Sequence, residues 1–255
     1  MKVEILGAYG GQSDTSFLTC FLIDDFLAVD AGCLTQTLNL ERQARISDVL
    51  ISHTHLDHTL SLPFMVDNLF GQTKEPLRVW SHQAVIDGLT RHIFNEVTWP
   101  DFAVLPSPEE PSITFSVLKN EVTFAIKHLH ITPVFVNHVV PTFAYLVECT
   151  RSNAAILFSS DTSNTGRIWE AANRQQNLKA IVVDCSFPND MEDLAVISGH
   201  MTPDMLGRDL KKLTNDCEIL IYHIKPMFED EIMEQLTALN HPRMTTSIQG
   251  RIFHF

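Results

Sequence analysis

The stretch Ser52-His53-Thr54-His55-Leu56-Asp57-His58 places three imidazoles and one carboxylate within seven consecutive residues. It directly follows the apolar, β-branched run 46–51, which predicts a strand that ends at this point. His53 and His55 are two residues apart at the close of that strand, so both side chains can point to one side and share a metal ion. Asp57 and His58 follow in the turn and can reach a second ion. A polar surface loop that contains histidines is the alternative interpretation.

The donor atoms of this stretch indicate which metal ions it can bind. Imidazole and carboxylate ligands suit zinc, and manganese or iron can use them too. Two ions need more ligands than this stretch supplies, so the rest of the chain should contribute the others. We therefore expect two divalent cations, with zinc as the first choice and Mn²⁺ or Fe²⁺ as the alternatives.

Three residues later in the chain, His138, Asp161 and His223, are candidates for the further metal ligands. Taken singly, each of them also fits a hydrogen-bonded histidine or a helix-capping aspartate. Strand ends are where a rigid scaffold presents side chains to a shared cleft, so we expect these residues to meet the first stretch. Each stands at or just after the end of an apolar run: His138 after 134–137, Asp161 after 156–160 and His223 after 219–222.

Strand and helix patterns alternate along the chain, and each half is rich in strands. Two sheets packed face to face with helices outside are therefore expected, in a single domain over residues 1–255. Strands are predicted over 3–6, 19–23, 26–29, 46–51, 77–80, 113–118, 122–126, 130–136, 143–148, 154–158, 180–183 and 219–222. Helices are predicted over 83–94, 168–176, 203–213 and 230–239, and a Pro-rich loop over 100–111.

The overall charge argues against a polynucleotide ligand. The 255 residues carry a formal charge of −13, whereas a protein that grips a nucleic-acid backbone needs a basic surface. A small anion can still bind if metal ions supply the local positive charge. No apolar run is long enough to span a bilayer, and no signal peptide is recognisable, so we expect a cytoplasmic protein with no membrane partner. A homodimer is expected from base rates.

The cysteines indicate a reducing compartment. They are odd in number and widely spaced, with no C-x-x-C pair, which is typical neither of a disulfide framework nor of a cysteine zinc site. The five are Cys20, Cys33, Cys149, Cys185 and Cys217.

The order HxHxDH, then His, then Asp, then His resembles the metallo-β-lactamase superfamily. That resemblance implies an α/β protein built as a four-layer αββα sandwich. It also implies that Asp161 bridges two metals and that Asp30 orients a ligand loop. By the same resemblance the other ligands divide into two sets: His53, His55 and His138 for one metal, and Asp57, His58 and His223 for the other.

Within that superfamily the chain resembles the class II cyclic-nucleotide phosphodiesterases, especially the short bacterial members, over nearly its whole length. The sequence departs from the family's usual pattern at Thr59, Pro63 and Asp67. The similar segments are Gly10-Gly11, Thr19-Cys20-Phe21-Leu22, the histidine stretch with Leu62-Pro63-Phe64, Ile93-Phe94-Asn95, Trp99-Pro100-Asp101-Phe102, Asn137-His138, Val140-Pro141, Phe187-Pro188-Asn189, Gly199-His200-Met201-Thr202-Pro203 and His223-Ile224-Lys225-Pro226.

His200 is not required by the ligand count, and the H-x-T setting of Gly199-His200-Met201-Thr202 resembles that of a proton-donating histidine in the superfamily's phosphodiesterases. We predict His200 as the general acid for the leaving oxygen, with a structural role or a role as a metal ligand in place of His223 as alternatives. Asp57 is also predicted as catalytic. Asp184, which ends a buried strand, is expected to orient His200 or a metal ligand.

The resemblance implies hydrolysis of 3′,5′-cyclic nucleotides (cyclic AMP or cyclic GMP) to 5′-nucleotides by a metal-bridging hydroxide. The alternatives are a tRNA 3′-end endonuclease and a thioester hydrolase of the glyoxalase II kind or a lactamase. A diiron electron-transfer role is disfavoured, because there is no room for a flavin domain. Trp99 and Phe102 are candidates to stack on a base, and Asn95 and Asn189 are candidates to read its edge.

Overall fold

The computed structural model describes residues 1–246 and 248–255. The strands are β1 Lys2–Gly7, β2 Cys20–Ile23, β3 Leu27–Val29, β4 Asp48–Leu50, β5 Leu77–Ser81, β6 Pro106–Ser107, β7 Glu110–Pro111, β8 Ile113–Val117, β9 Phe124–Ile126, β10 Leu129–Phe135, β11 Phe143–Cys149, β12 Ala154–Phe158, β13 Leu178–Asp184, β14 Glu218–Tyr222, β15 Met244–Thr245 and β16 Ile252–His254. The helices are α1 Leu34–Thr37, α2 Leu40–Gln43, α3 Leu56–Thr59, α4 Leu62–Leu69, α5 Gln83–His92, α6 Arg167–Arg174, α7 Glu192–Ser198, α8 Pro203–Leu210 and α9 Glu229–Ala238.

The strands form two seven-stranded sheets and one small hairpin, β6–β7. The first sheet has the order β16-β1-β2-β3-β4-β5-β8, and the second has the order β15-β14-β13-β12-β11-β10-β9. Pairing is parallel from β3 to β8 in the first sheet and from β12 to β15 in the second. Neighbouring strands in the rest of both sheets run antiparallel.

Three apolar layers hold the molecule together, and they define a four-layer αββα sandwich. The central layer lies between the sheets and joins side chains of both, such as Phe21 and Phe158, whose rings are 5.2 Å apart. A second layer packs α1, α4 and α5 on the outer face of the first sheet. The third packs α6, α8 and α9 on the outer face of the second sheet. The predicted fold class is confirmed.

Most predicted elements are present with shifted ends, but several elements were not predicted. Helix α8 ends at Leu210, three residues before the predicted limit, and β9 begins at Phe124 rather than at residue 122. Helix α4, which begins at Leu62 and contains Pro63, was not predicted. The structure places Pro63 in the first turn of α4. A backbone N–H at this position has no acceptor within the helix, so the N–H that proline lacks costs no hydrogen bond. The other unpredicted elements are α1, α2, α3, α7, β15, β16 and the β6–β7 hairpin, which lies in the segment predicted to be a Pro-rich loop.

The sheet topology brings one set of strand ends to the same edge of the sandwich. Strands β12, β13 and β14 are parallel neighbours, so their carboxyl ends lie side by side. Strand β10 is antiparallel to β11, which is antiparallel to β12, so β10 ends at that edge as well. Among the described residues, no helix is both long and apolar enough to cross a membrane.

Candidate metal centre

The structure brings all seven predicted ligands into two adjoining groups. Within each group the ligand atoms lie within 4.8 Å of one another, and Asp161 belongs to both. The groups divide the residues as the resemblance implies, although their role as ligands stays a prediction. The first group is His53, His55, His138 and Asp161, and the second is Asp57, His58, Asp161 and His223.

The local structure of the histidine stretch explains how one short segment serves both groups. Strand β4 ends at Leu50, a short segment with a bend at Thr54 follows, and His55 stands at the N-cap of α3. His53 and His55 therefore precede the helix and face the first group, where His53 Nε2 and His55 Nδ1 are 3.0 Å apart. Asp57 and His58 lie on α3 and face the second group, with Asp57 Oδ2 3.2 Å from Nε2 of His223.

Asp161 supplies a test of whether metal ions fit these residues. Its Oδ2 is buried and has no hydrogen-bond partner among the described residues. This oxygen lies 3.2 Å from Nε2 of His58, 3.2 Å from Nε2 of His223 and 3.6 Å from Nε2 of His53. A buried carboxylate oxygen without a partner is costly, whereas cations held between it and imidazole nitrogens would satisfy it. Five imidazoles and two carboxylates are also a donor set that zinc accepts.

The pKa directions of Asp161 and His53 suit cation binding. Burial alone raises the pKa of Asp161, but the charges of His223 and His58 outweigh burial and hold this pKa well below its usual range. Burial and the charge of His58 lower the pKa of His53 well below its usual range. An ionised carboxylate and a neutral imidazole are the forms that bind metal. Burial lowers the pKa of His58, but the carboxylates of Asp161 and Asp30 outweigh burial and raise this pKa well above its usual range, so a cation at the second group would displace a proton from His58.

Asp30 supports the second group from outside. Its Oδ2 accepts a hydrogen bond from Nδ1 of His58 at 2.7 Å, and its Oδ1 accepts one from the amide of Ser52 at 2.8 Å. Nε2 of His58 is therefore left to face Asp161. This is the arrangement expected of a residue that orients a ligand loop.

His200 lies beside the metal groups, and its ring is held by Asp184. Nδ1 of His200 is 2.9 Å from Oδ2 of Asp184, and His200 is 6% exposed. The ring stacks on His223, with centroids 5.0 Å apart. Of the two roles expected for Asp184, the orientation of His200 therefore has direct contacts in the structure.

Ser186 is a site residue that the sequence did not reveal. Its hydroxyl donates to Oδ1 of Asp184 at 2.6 Å and is 2.9 Å from Nδ1 of His223. Because that hydroxyl has one proton, it can donate to Asp184 only while it accepts from His223. Nε2 of His223 is then free to face the ligand groups, so Asp184 also orients His223 indirectly.

The aromatic side chains expected to stack on a base have other neighbours. Phe102 is 2% exposed and packs against Phe70, with ring centroids 5.4 Å apart, so the expectation that it could stack on a base is wrong. Trp99 is half-buried and packs its ring edge-on against Phe64 at 5.0 Å. Both rings are held by the protein body.

The two asparagines expected to read a base edge instead organise backbone turns. Oδ1 of Asn95 accepts hydrogen bonds from the amides of Val97 and Thr98. Oδ1 of Asn189 accepts one from the amide of Asp204 in the first turn of α8. Their side-chain oxygens are therefore engaged within the protein.

Comparison with known proteins agrees with this geometry. Residues 30–245 match the model of the family described as cAMP phosphodiesterases class-II. A Yersinia pestis protein named "Probable 3',5'-cyclic-nucleotide phosphodiesterase" is 25% identical, over 89% of this chain and 79% of that protein. The structure of unliganded yeast PDE1 matches with a TM-score of 0.81 at 20% identity, over 98% of both chains. The metallo-beta-lactamase fold protein YhfI from Bacillus subtilis matches with a TM-score of 0.78 at 18% identity, over 99% of both chains. These structural matches show the metallo-β-lactamase fold.

Proposed function

The chain belongs to the class II cAMP phosphodiesterase family, hydrolases that act on cyclic nucleotides, and on that premise we propose that it converts cyclic AMP or cyclic GMP to the 5′-nucleotide with two bound divalent cations, zinc first among them. The observation that carries the proposal is the buried Oδ2 of Asp161, which lacks a hydrogen-bond partner among the described residues and lies between two groups of metal-ligating side chains.

The two groups divide the work of holding the cations. His53, His55 and His138 would hold one ion, Asp57, His58 and His223 would hold the other, and Asp161 would contact both. When bound, the ions supply Lewis acidity, which lowers the pKa of water towards neutrality and neutralises charge on the phosphate. The nucleophile expected from the resemblance is therefore a hydroxide ion.

The chain's own contribution to bond cleavage is a proton at the leaving oxygen. Water adds across one P–O ester bond: its oxygen bonds to phosphorus, the bond from phosphorus to the 3′ oxygen breaks, and that oxygen needs a proton. Nδ1 of His200 is engaged by Asp184, so Nε2 is the nitrogen that can carry this proton. Such general-acid catalysis contributes about 10²–10⁴-fold to the rate.

The charge of Asp184 favours the protonated form of His200. Burial by itself lowers the pKa of His200, but the adjacent Asp184 carboxylate outweighs burial and raises this pKa above its ordinary value. Bound cations would act in the opposite direction. Asp184 therefore helps His200 to keep its proton beside a positively charged centre.

The two alternative functions require different substrates, and the properties of the chain disfavour both. A tRNA 3′-end endonuclease shares the ligands and the H-x-T histidine, but the net charge of −13 opposes binding of a polynucleotide. A thioester hydrolase has less need of a proton donor, because a thiolate leaves without one. His200 and its Asp184 partner therefore favour a phosphodiester substrate.

A substrate panel on purified, zinc-loaded protein tests the proposal. The panel contains cyclic AMP, cyclic GMP, a linear bis-phosphodiester, a thioester and a tRNA precursor, and products are separated by chromatography. We expect 5′-AMP or 5′-GMP from the cyclic nucleotides. Turnover confined to the thioester or to the tRNA precursor would refute the proposed function and leave the fold unaffected.

A further inference from the structure

A cavity of about 470 Å³ lies against the loops that carry two of the predicted metal ligands. Thr54 and Leu56 line it, and these residues flank His55 on either side in the chain. Val140 lines it too, two residues after His138. The loops that carry two of the predicted ligands therefore also form one wall of the cavity. The other wall is formed by α5, which contributes buried residues such as Val85 and Leu89 as well as exposed ones, together with the loop that follows it.

The lining of this cavity is uncharged. None of its residues, all within the described part of the chain, is Lys, Arg, Asp or Glu. Four other cavities in the described part of the chain each include at least one such side chain. Ligand sites that are mostly apolar, with a few polar groups, suit flat neutral molecules rather than ions.

Three polar side chains in the cavity have no hydrogen-bond partner among the described residues. The hydroxyls of Thr54 and Thr98 and the ring of His92 make no hydrogen bond to any described residue, and all three line the cavity. The backbone of Thr98 is nevertheless fixed, because its amide donates to Oδ1 of Asn95 at 2.7 Å. The cavity therefore offers polar groups on a partly fixed frame, which reduces the entropy lost on binding.

We propose that this cavity receives the base of the cyclic nucleotide while the phosphate lies at the metal centre, and that Thr98 and His92 contact the polar edge of the base. The inference rests on the proposed function. In a nucleotide only the sugar separates base from phosphate, and here Thr54 and Leu56 of the cavity wall are the chain neighbours of His55. A base has an apolar face and a polar edge, which matches the lining.

The test fills the cavity without altering the predicted ligands. Ala84 lies in the first turn of α5 and lines the cavity, so Ala84→Phe places an aromatic ring inside it. The matched control is Arg91→Phe, which adds the same ring to the same helix at an exposed position outside the cavity. Both variants and the wild type are assayed, with zinc bound, on cyclic AMP and on the base-free 3′,5′-cyclic phosphate of 1,2-dideoxyribose.

We expect Ala84→Phe to raise the KM for cyclic AMP by about tenfold, which corresponds to about 1.4 kcal/mol of lost binding free energy, and to leave kcat/KM for the base-free substrate unchanged. The control should match the wild type on both substrates. Equal losses on both substrates, or no change on cyclic AMP, would overturn the inference. If instead the wild type hydrolyses no cyclic nucleotide, the proposed function itself fails.

A second variant keeps the inference testable if Ala84→Phe does not fold. Thr98→Val removes one hydroxyl at an exposed position and keeps the shape of the side chain. We expect it to change the ratio of kcat/KM for cyclic AMP over cyclic GMP, with base-free turnover unaffected. An unchanged ratio would show that Thr98 does not read the base.

Discussion

The carbonyl oxygen of Gly199 accepts a hydrogen bond from Nδ1 of His138 at 2.9 Å. Gly199 directly precedes His200, so one backbone position touches a predicted ligand and positions the predicted acid. Gly199 also has a φ of +74°, and a Cβ added there would lie 2.6 Å from Nδ1 of His138. The close approach of these two loops therefore requires glycine for both backbone conformation and space.

Gly199→Ala should damage the site more than the fold. The added methyl group displaces the His138 ring, so we expect loss of at least about tenfold in metal affinity, as for altered support of a metal ligand, and a matching fall in cyclic AMP turnover. Metal content by mass spectrometry and kcat are the measurements.

Gly71→Ala is the matched control for Gly199→Ala. Gly71 has a similar φ of +69°, but a Cβ there meets no heavy atom within 4 Å. This variant should lose about 1 kcal/mol of unfolding free energy from backbone strain and keep its metals and turnover. Equal loss of metal in both variants would show that strain, rather than contact with His138, is responsible.

His200→Ala should slow catalysis without removing the metals. If Nε2 of His200 protonates the leaving oxygen, kcat for cyclic AMP should fall by about 10²–10⁴-fold, with two metal ions per chain retained. His130→Ala, which removes an exposed histidine far along β10 from the site, should behave as the wild type. Wild-type turnover by a fully metal-loaded His200→Ala protein would refute the acid role.

Asp48, the first residue of β4, makes the stability depend on pH. Its buried carboxylate accepts hydrogen bonds from Arg78 and from Nε1 of Trp80. Burial raises the pKa of Asp48, but the hydrogen bonds from Arg78, Ser47 and Trp80 outweigh burial and lower this pKa below 3.8. A lowered folded-state pKa stabilises the protein above pH 3.8, and that stabilisation is lost as pH falls through the folded-state value.

Asp48→Asn should therefore cost about 1–3 kcal/mol of unfolding free energy at pH 7, and less as the pH falls below 3.8. Urea unfolding of metal-free protein across this pH range measures the difference. Glu192→Gln removes the exposed partner of Arg208 and should cost well under 1 kcal/mol at every pH. A cost for Asp48→Asn that stays constant with pH would contradict the charge-based explanation.

The parts of the site that stand next to clear strand signals could be predicted from the sequence. His53, Asp161 and His223 follow apolar runs, and the ends of such runs converge wherever the strands share a sheet edge. Ser186 could not be predicted, because its role depends on contacts with His200 and His223, which are 14 and 37 residues away.

Two further features of the fold could not be predicted from local sequence patterns. Strand β16 has only three residues and pairs with β1 at the other end of the chain, so its partner rather than its own sequence makes it a strand. Phe102 was a candidate for stacking because its loop could reach the cleft, but its ring is buried in the apolar layer on the outer face of the first sheet and packs against Phe70. Tertiary packing decided both outcomes.

Titration of metal-free protein with zinc, read out as cyclic AMP turnover, tests most directly whether two cations act at this site. Turnover should be absent after chelation and return fully only as about two equivalents bind, the number that a two-metal site needs. Asp161→Asn, which alters the residue common to both groups, should fail to recover. Full turnover by the metal-free protein, or by Asp161→Asn, would contradict a function that depends on the two-cation centre.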